Sequence, residues 1–98
     1  MHRYIVTHTW LHHDPAIGLT TCVVPCYGLA AASGLVKFAV TTHLPSASAN
    51  VAVANMRSLI RGANGAKEWR YVGDDNRWIV KVEKYPYPRK SKKKDPSA

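Results

Sequence analysis

Glu68-Trp69-Arg70-Tyr71-Val72-Gly73-Asp74-Asp75-Asn76-Arg77-Trp78-Ile79-Val80-Lys81-Val82-Glu83 is the stretch that decides the fold. Two runs rich in aromatic and β-branched residues flank the turn formers Gly73 to Asn76, which is the pattern of a β-hairpin. Pairing Val72 with Arg77 sets Tyr71 opposite Trp78 and Trp69 opposite Val80. Those four then share a face with Val82 and form an aromatic–aliphatic core layer. The other face carries Arg70, Arg77, Ile79 and Lys81, with Glu68 across from Lys81. Val72 and Ile79 between the cations mark a protein interface or a second core layer. A one-residue slip would turn the aromatic set outward, so the pattern fixes which residues point to the core.

A face this apolar needs a partner, and the preceding segment supplies one. Ala49, Ala52, Val53, Met56, Leu59 and Ile60 recur at helical spacing and form one apolar stripe. The helix is expected over about residues 47–61, with Ser46 or Ser48 as N-cap and Gly62 as the stop. Trp69, Tyr71, Trp78, Val80, Val53, Met56 and Ile60 are expected in one core. Further upstream, Arg3 to Leu11 alternates as a strand, with Tyr4, Val6, His8 and Trp10 on one face. Leu19 to Tyr27 reads as a second strand, edge or bulged because of Pro25. Gly28 to Gly34 is small and flexible, with Leu29-Ala30-Ala31-Ala32 able to form one helical turn, and Leu35 to His43 reads as a third strand. The order β-β-β-α-β-β predicts an α+β domain, an antiparallel sheet with one main helix packed on a face. The domain is expected to span residues 1–84. Tyr85-Pro86-Tyr87-Pro88 should leave the sheet as an extended segment, because each proline lacks an N–H.

Charge is distributed unevenly. Of twenty charged residues, seventeen lie between Arg57 and Asp95, and Lys37 is the only one from Pro15 to Met56. The net charge is +8. Residues 84–98 hold six Lys/Arg against one Asp and supply +5, while residues 1–83 hold eight against five acids and supply +3. Basicity is thus mainly a property of the C-terminal end. Ala16 to Val36 approaches the length of a spanning helix, but Gly18, Pro25, Gly28 and Gly34 dilute it, and a buried hairpin is expected instead. No apolar run follows Met-His-Arg-Tyr, which argues against a secretory signal. Cys22 and Cys26 lie too far apart along a strand to bond, so reduced thiols and a cytoplasmic protein are expected.

Arg89, Lys90, Lys92, Lys93 and Lys94 form a basic arm that attracts phosphates by counterion release, and Tyr85 and Tyr87 beside it can stack on bases. Arg57, Arg61, Arg70, Arg77 and Lys81 make a second basic surface if the helix flank adjoins the hairpin. His8, His12, His13 and His43 with Cys22, Cys26 and Asp14 lack the spacing of a tetrahedral zinc site, so no metal or cofactor is expected. A metal-independent ribonuclease would use His12 or His13 as general base, but the acids are poorly placed to assist. The reading is a small non-catalytic protein that binds RNA or DNA through its lysine-rich arm. The second reading is an adaptor or inhibitor of the phage or mobile-element type that binds a host protein. No small-molecule substrate or membrane partner is expected.

Overall fold

The computed structural model describes residues 2–62 and 64–86. The elements run β1 (His2–Leu11), β2 (Leu19–Tyr27), α1 (Leu29–Thr41), α2 (Ser46–Ile60), β3 (Glu68–Val72) and β4 (Trp78–Pro86). The strands form one antiparallel sheet in the order β2-β1-β4-β3. First and last strands therefore lie side by side at its centre. Both helices cover one face, and the other face carries no layer among the described residues. This is the expected α+β domain, with two helices in place of one.

The second helix corrects the strand expected at Leu35–His43. Ala32, Val36, Ala39 and Val40 are all buried, at a helical interval. The β-branched residues of that segment suggested a strand, but burial of this stripe against the sheet and α2 outweighs so weak a preference. Gly34 sits inside α1 with open space around it. The charge-free stretch Ala16–Val36 is accordingly not a buried hairpin: it comprises β2 and the first half of α1. Among the described residues no helix is long and apolar enough to cross a membrane.

The stripe of α2 buries Ala49, Ala52, Met56 and Ile60 completely, with Val53 packed at the margin and Leu59 exposed. Pro45, not a serine, occupies its N-cap. All seven expected core residues join one cluster, with Tyr71 and Val53 only partly buried.

The hairpin register differs from the expected one by two residues. Tyr71 faces Val80, Trp69 faces Val82, and Arg70 rather than Glu68 faces Lys81. The turn is displaced by one residue along the chain, because Gly73 N–H bonds Trp78 C=O at 2.9 Å and leaves Asp74 to Arg77, not Gly73 to Asn76, as the loop. Within it Asn76 takes a left-handed conformation (φ 58°) and Asp75 Oδ1 accepts from the Arg77 N–H at 3.1 Å. Asn tolerates that conformation better than most residues. A shift of two preserves every side chain's face, so the core assignment survives it.

Tyr85 and Pro86 stay in the sheet, opposite Arg3 and His2, where an exit was expected. The bonds Leu11 N–H to Arg77 C=O and Lys84 N–H to Lys67 C=O fix the ladder phase. Odd-numbered β4 residues bond β1 and even-numbered ones bond β3. The missing N–H of Pro86 thus faces the β3 side, beyond the end of that strand, and costs no bond.

Candidate nucleic-acid interface

The uncovered face of the sheet is built from the residues that alternate with the core. Four rows cross it in the order β2, β1, β4, β3. Nearest the C-terminal end of β4 lies Tyr27–Arg3–Tyr85, then Pro25–Ile5–Glu83–Glu68, then Val23–Thr7–Lys81–Arg70, then Thr21–Thr9–Ile79–Val72. Arg70 and Lys81 therefore stand directly opposite each other, a like-charge pairing that alone destabilises a sheet. The two acids of the neighbouring row compensate it. Arg70 donates to Glu68 through both Nε (3.0 Å) and Nη2, and Lys81 lies 3.8 Å from Glu83. The hydrogen bond from Arg70 holds the Glu68 carboxyl below its ordinary range.

The first row is an aromatic–guanidinium–aromatic arrangement. Arg3 lies 5.9 Å from the Tyr85 ring centre, within cation–π range. Tyr85 donates its hydroxyl to Glu83 Oε2 at 3.2 Å, and this bond to a carboxylate raises its pKa. Tyr27 is 59% exposed. Stacking surfaces beside a cation are what an unpaired base or a phosphodiester backbone can use.

Arg70, Lys81 and Tyr85 are thus brought to one face. Arg57 and Arg61 are not, because α2 packs on the opposite face of the sheet, so the expected joint surface does not form. Arg57 Nη1 donates to Ser33 Oγ at 3.0 Å, and that hydroxyl donates to the Leu29 carbonyl at 2.8 Å. Its guanidinium ties α2 to α1. Arg61 is exposed at the end of α2. Arg77 lies in the β3–β4 turn, 3.6 Å from Asp75, at the end of β4 remote from Tyr85. Tyr87, Arg89, Lys90, Lys92, Lys93 and Lys94 lie outside the described residues, and follow β4 directly in the chain. Sequence reasoning missed Arg3 and Tyr27. Their signal was the alternation of β1 and β2, which puts both opposite the core face.

The covered face holds the other chemistry-bearing groups. His8 Nε2 lies 2.8 Å from His43 Nε2, a hydrogen bond that needs one nitrogen protonated and the other bare. His43 stands in the connection after α1, not on a strand, and stacks on Trp78 (centroids 4.4 Å apart, 7° between planes). Trp78 stacks in turn on Tyr71. Burial lowers the pKa of both histidines, and mutual repulsion lowers that of His8 further. The pair joins β1 to the helical layer. His12 and His13 stack on each other in the β1–β2 turn, where His12 Nδ1 accepts from the Asp14 N–H. Cys22 and Cys26 are free, opposite His8 and Tyr4, and burial raises the Cys26 thiol pKa. Among the described residues no three histidines, cysteines or acids gather as metal ligands would.

One further group was not anticipated. Lys84 follows Trp78, Val80 and Val82 on the core face and is 6% exposed. Its Nζ donates to the carbonyls of Ile60 at 2.7 Å and Gly62 at 2.9 Å, closing the end of α2. Comparison of the chain with protein families, curated proteins and solved structures finds no match.

Proposed function

We propose that this protein binds RNA or DNA in the cytoplasm without acting on it chemically. Arg89, Lys90, Lys92, Lys93 and Lys94 neutralise phosphates, and the open sheet face that carries Arg3 and Tyr85 receives the nucleic-acid strand. The observation that carries this reading is the Tyr27–Arg3–Tyr85 row at the end of β4, from which the chain continues into five cations within six positions. A basic arm alone gives diffuse attraction. An arm that begins next to a stacking platform gives the attracted strand a place to lie. Glu68 and Glu83 limit the positive potential of the face itself, so most of the affinity comes from the arm and little sequence preference is expected. Arg70 and Lys81 assist. Arg57, Arg61 and Arg77 contribute only long-range charge from other surfaces.

The test is fluorescence anisotropy at low salt with a labelled single-stranded oligonucleotide. The full chain should bind with micromolar or weaker affinity. A full-length variant with Arg89, Lys90, Lys92, Lys93 and Lys94 replaced by glutamine should lose most of it. If the unmodified chain does not bind, the nucleic-acid reading fails, and a protein-directed adaptor becomes the better account.

A further inference from the structure

Among the described residues β2 is an edge strand with one neighbour, β1. The phase of its ladder follows from the hydrogen bonds at either end. His12 N–H donates to Gly18 C=O at 2.9 Å and Gly28 N–H to His2 C=O at 3.5 Å, both between even-numbered residues. Bonded and non-bonded pairs alternate in an antiparallel ladder. Thr20, Cys22, Val24 and Cys26 therefore bond to β1, while Leu19, Thr21, Val23 and Pro25 direct their backbone groups out of the sheet edge. Pro25, which has no N–H to offer, fits such a position.

Edges of this kind are usually guarded by lysines or other charges. All nine residues of β2 are uncharged. Leu19 is 72% and Val23 56% exposed on its outer face. On its inner face an apolar groove of about 360 Å³ runs between Cys22 and Val24 of the strand and Leu35 and Phe38 of α1, and Phe38 is 75% exposed. Every one of these residues belongs to Pro15–Met56, whose only charge is Lys37. Charge selects the occupant. An acidic partner is drawn to the basic segments elsewhere. Two copies of a chain with net charge +8 repel each other except where that charge is absent, and this is the neutral edge.

We propose that the protein forms a two-fold symmetric dimer through antiparallel β2–β2 pairing, which joins two four-stranded sheets into one. Centring the dyad on Thr21 makes Thr21–Thr21 and the two Leu19–Val23 pairs the bonded ones. It sets Leu19 of each copy against Val23 of the other on the outer face. The dyad is perpendicular to the sheet, so both α1 helices lie on the same side, and Phe38 of each flanks the joint. The pairing is isologous, each copy using the same residues. It does not depend on the nucleic-acid reading.

Thr21→Pro removes the N–H that bonds only across the dyad. The backbone groups of the Thr9–Thr21 pair do not bond each other, so the β1 ladder is kept and only the Oγ1–Oγ1 hydrogen bond of that pair (3.2 Å) is lost. Val23→Lys tests the same edge by charge and keeps every backbone group. The measurement is solution mass by sedimentation on nuclease-treated protein, over a concentration series at elevated salt, with far-UV circular dichroism for each variant. The wild-type chain should approach twice its 10.9 kDa mass. Val23→Lys should sediment as a folded monomer, and so should Thr21→Pro if it folds. A wild type that stays monomeric throughout, or a dimer that folded Val23→Lys leaves intact, overturns the proposal.

Discussion

Replacing Lys84 by methionine tests how the end of α2 is held to the sheet. The last carbonyls of a helix have no partner within it and lie at the negative end of its dipole. Here Lys84 Nζ satisfies Ile60 C=O at 2.7 Å in a buried setting and Gly62 C=O at 2.9 Å in a partly buried one. A hydrogen bond to a charged group contributes about 1.5–3 kcal/mol, and an abandoned buried acceptor costs about 1–3 kcal/mol. Methionine fills most of the space and spares the desolvation of an ammonium, which offsets part of that loss. The Gly62 carbonyl also accepts from the Gly65 N–H at 3.2 Å, so the Ile60 bond dominates. The net expectation is a destabilisation of about 2–4 kcal/mol. For a domain of this size that lowers Tm by roughly 10–30 °C. Urea and thermal unfolding of both chains at neutral pH measure it. An unchanged or raised stability would show that only the aliphatic stem of Lys84 matters, and would refute the capping role.

Two further expectations concern the aromatic stack. A Cβ added at Gly73 would lie 2.2 Å from Trp78 Nε1, and Trp78 is held between His43 and Tyr71. Gly73→Ala should cost about 1–3 kcal/mol and shift tryptophan emission, whereas a neutral result would mean that the indole moves freely. His8 and His43 have folded pKa values below the ordinary 6.5. Their unfolded forms thus bind protons first, so this contribution is full above pH 6.5 and is lost as pH falls through the lowered folded values. Denaturant midpoints on either side of pH 6.5 should show the decline, at most about 1.4 kcal/mol per pH unit for each proton. A His8→Gln, His43→Gln chain that kept the same slope would assign it elsewhere.

Elements whose residues alternate strictly were legible in the sequence. Trp69, Tyr71, Trp78, Val80 and Val82 identify their common face whatever the register, because the true register differs by an even number. The register itself depends on the left-handed Asn76 and on the Gly73–Trp78 bond, which composition does not reveal. α1 was misread because Val36, Val40 and Thr41 favour strands locally, and only burial against α2 and the sheet makes the helix. Of the candidate interface, Arg70 and Lys81 were legible as an outward face, whereas Tyr85 was expected to leave the sheet and instead pairs with Arg3. Arg3 and Tyr27 needed the adjacency of β1 to β2 and β4, a pairing between opposite ends of the chain. The buried role of Lys84 was in phase with Val80 and Val82, and a positive charge hid it.

The most direct measurement of the central claim is the salt dependence of oligonucleotide binding by the full chain and by its form with glutamine at the five arm positions. With about five phosphates neutralised, log K should fall against log salt with a slope of roughly −3.5 for single strands and −4.5 for duplex. The substituted form should retain only a shallow slope and weaker binding. Equal affinities and equal slopes for the two forms would contradict the claim.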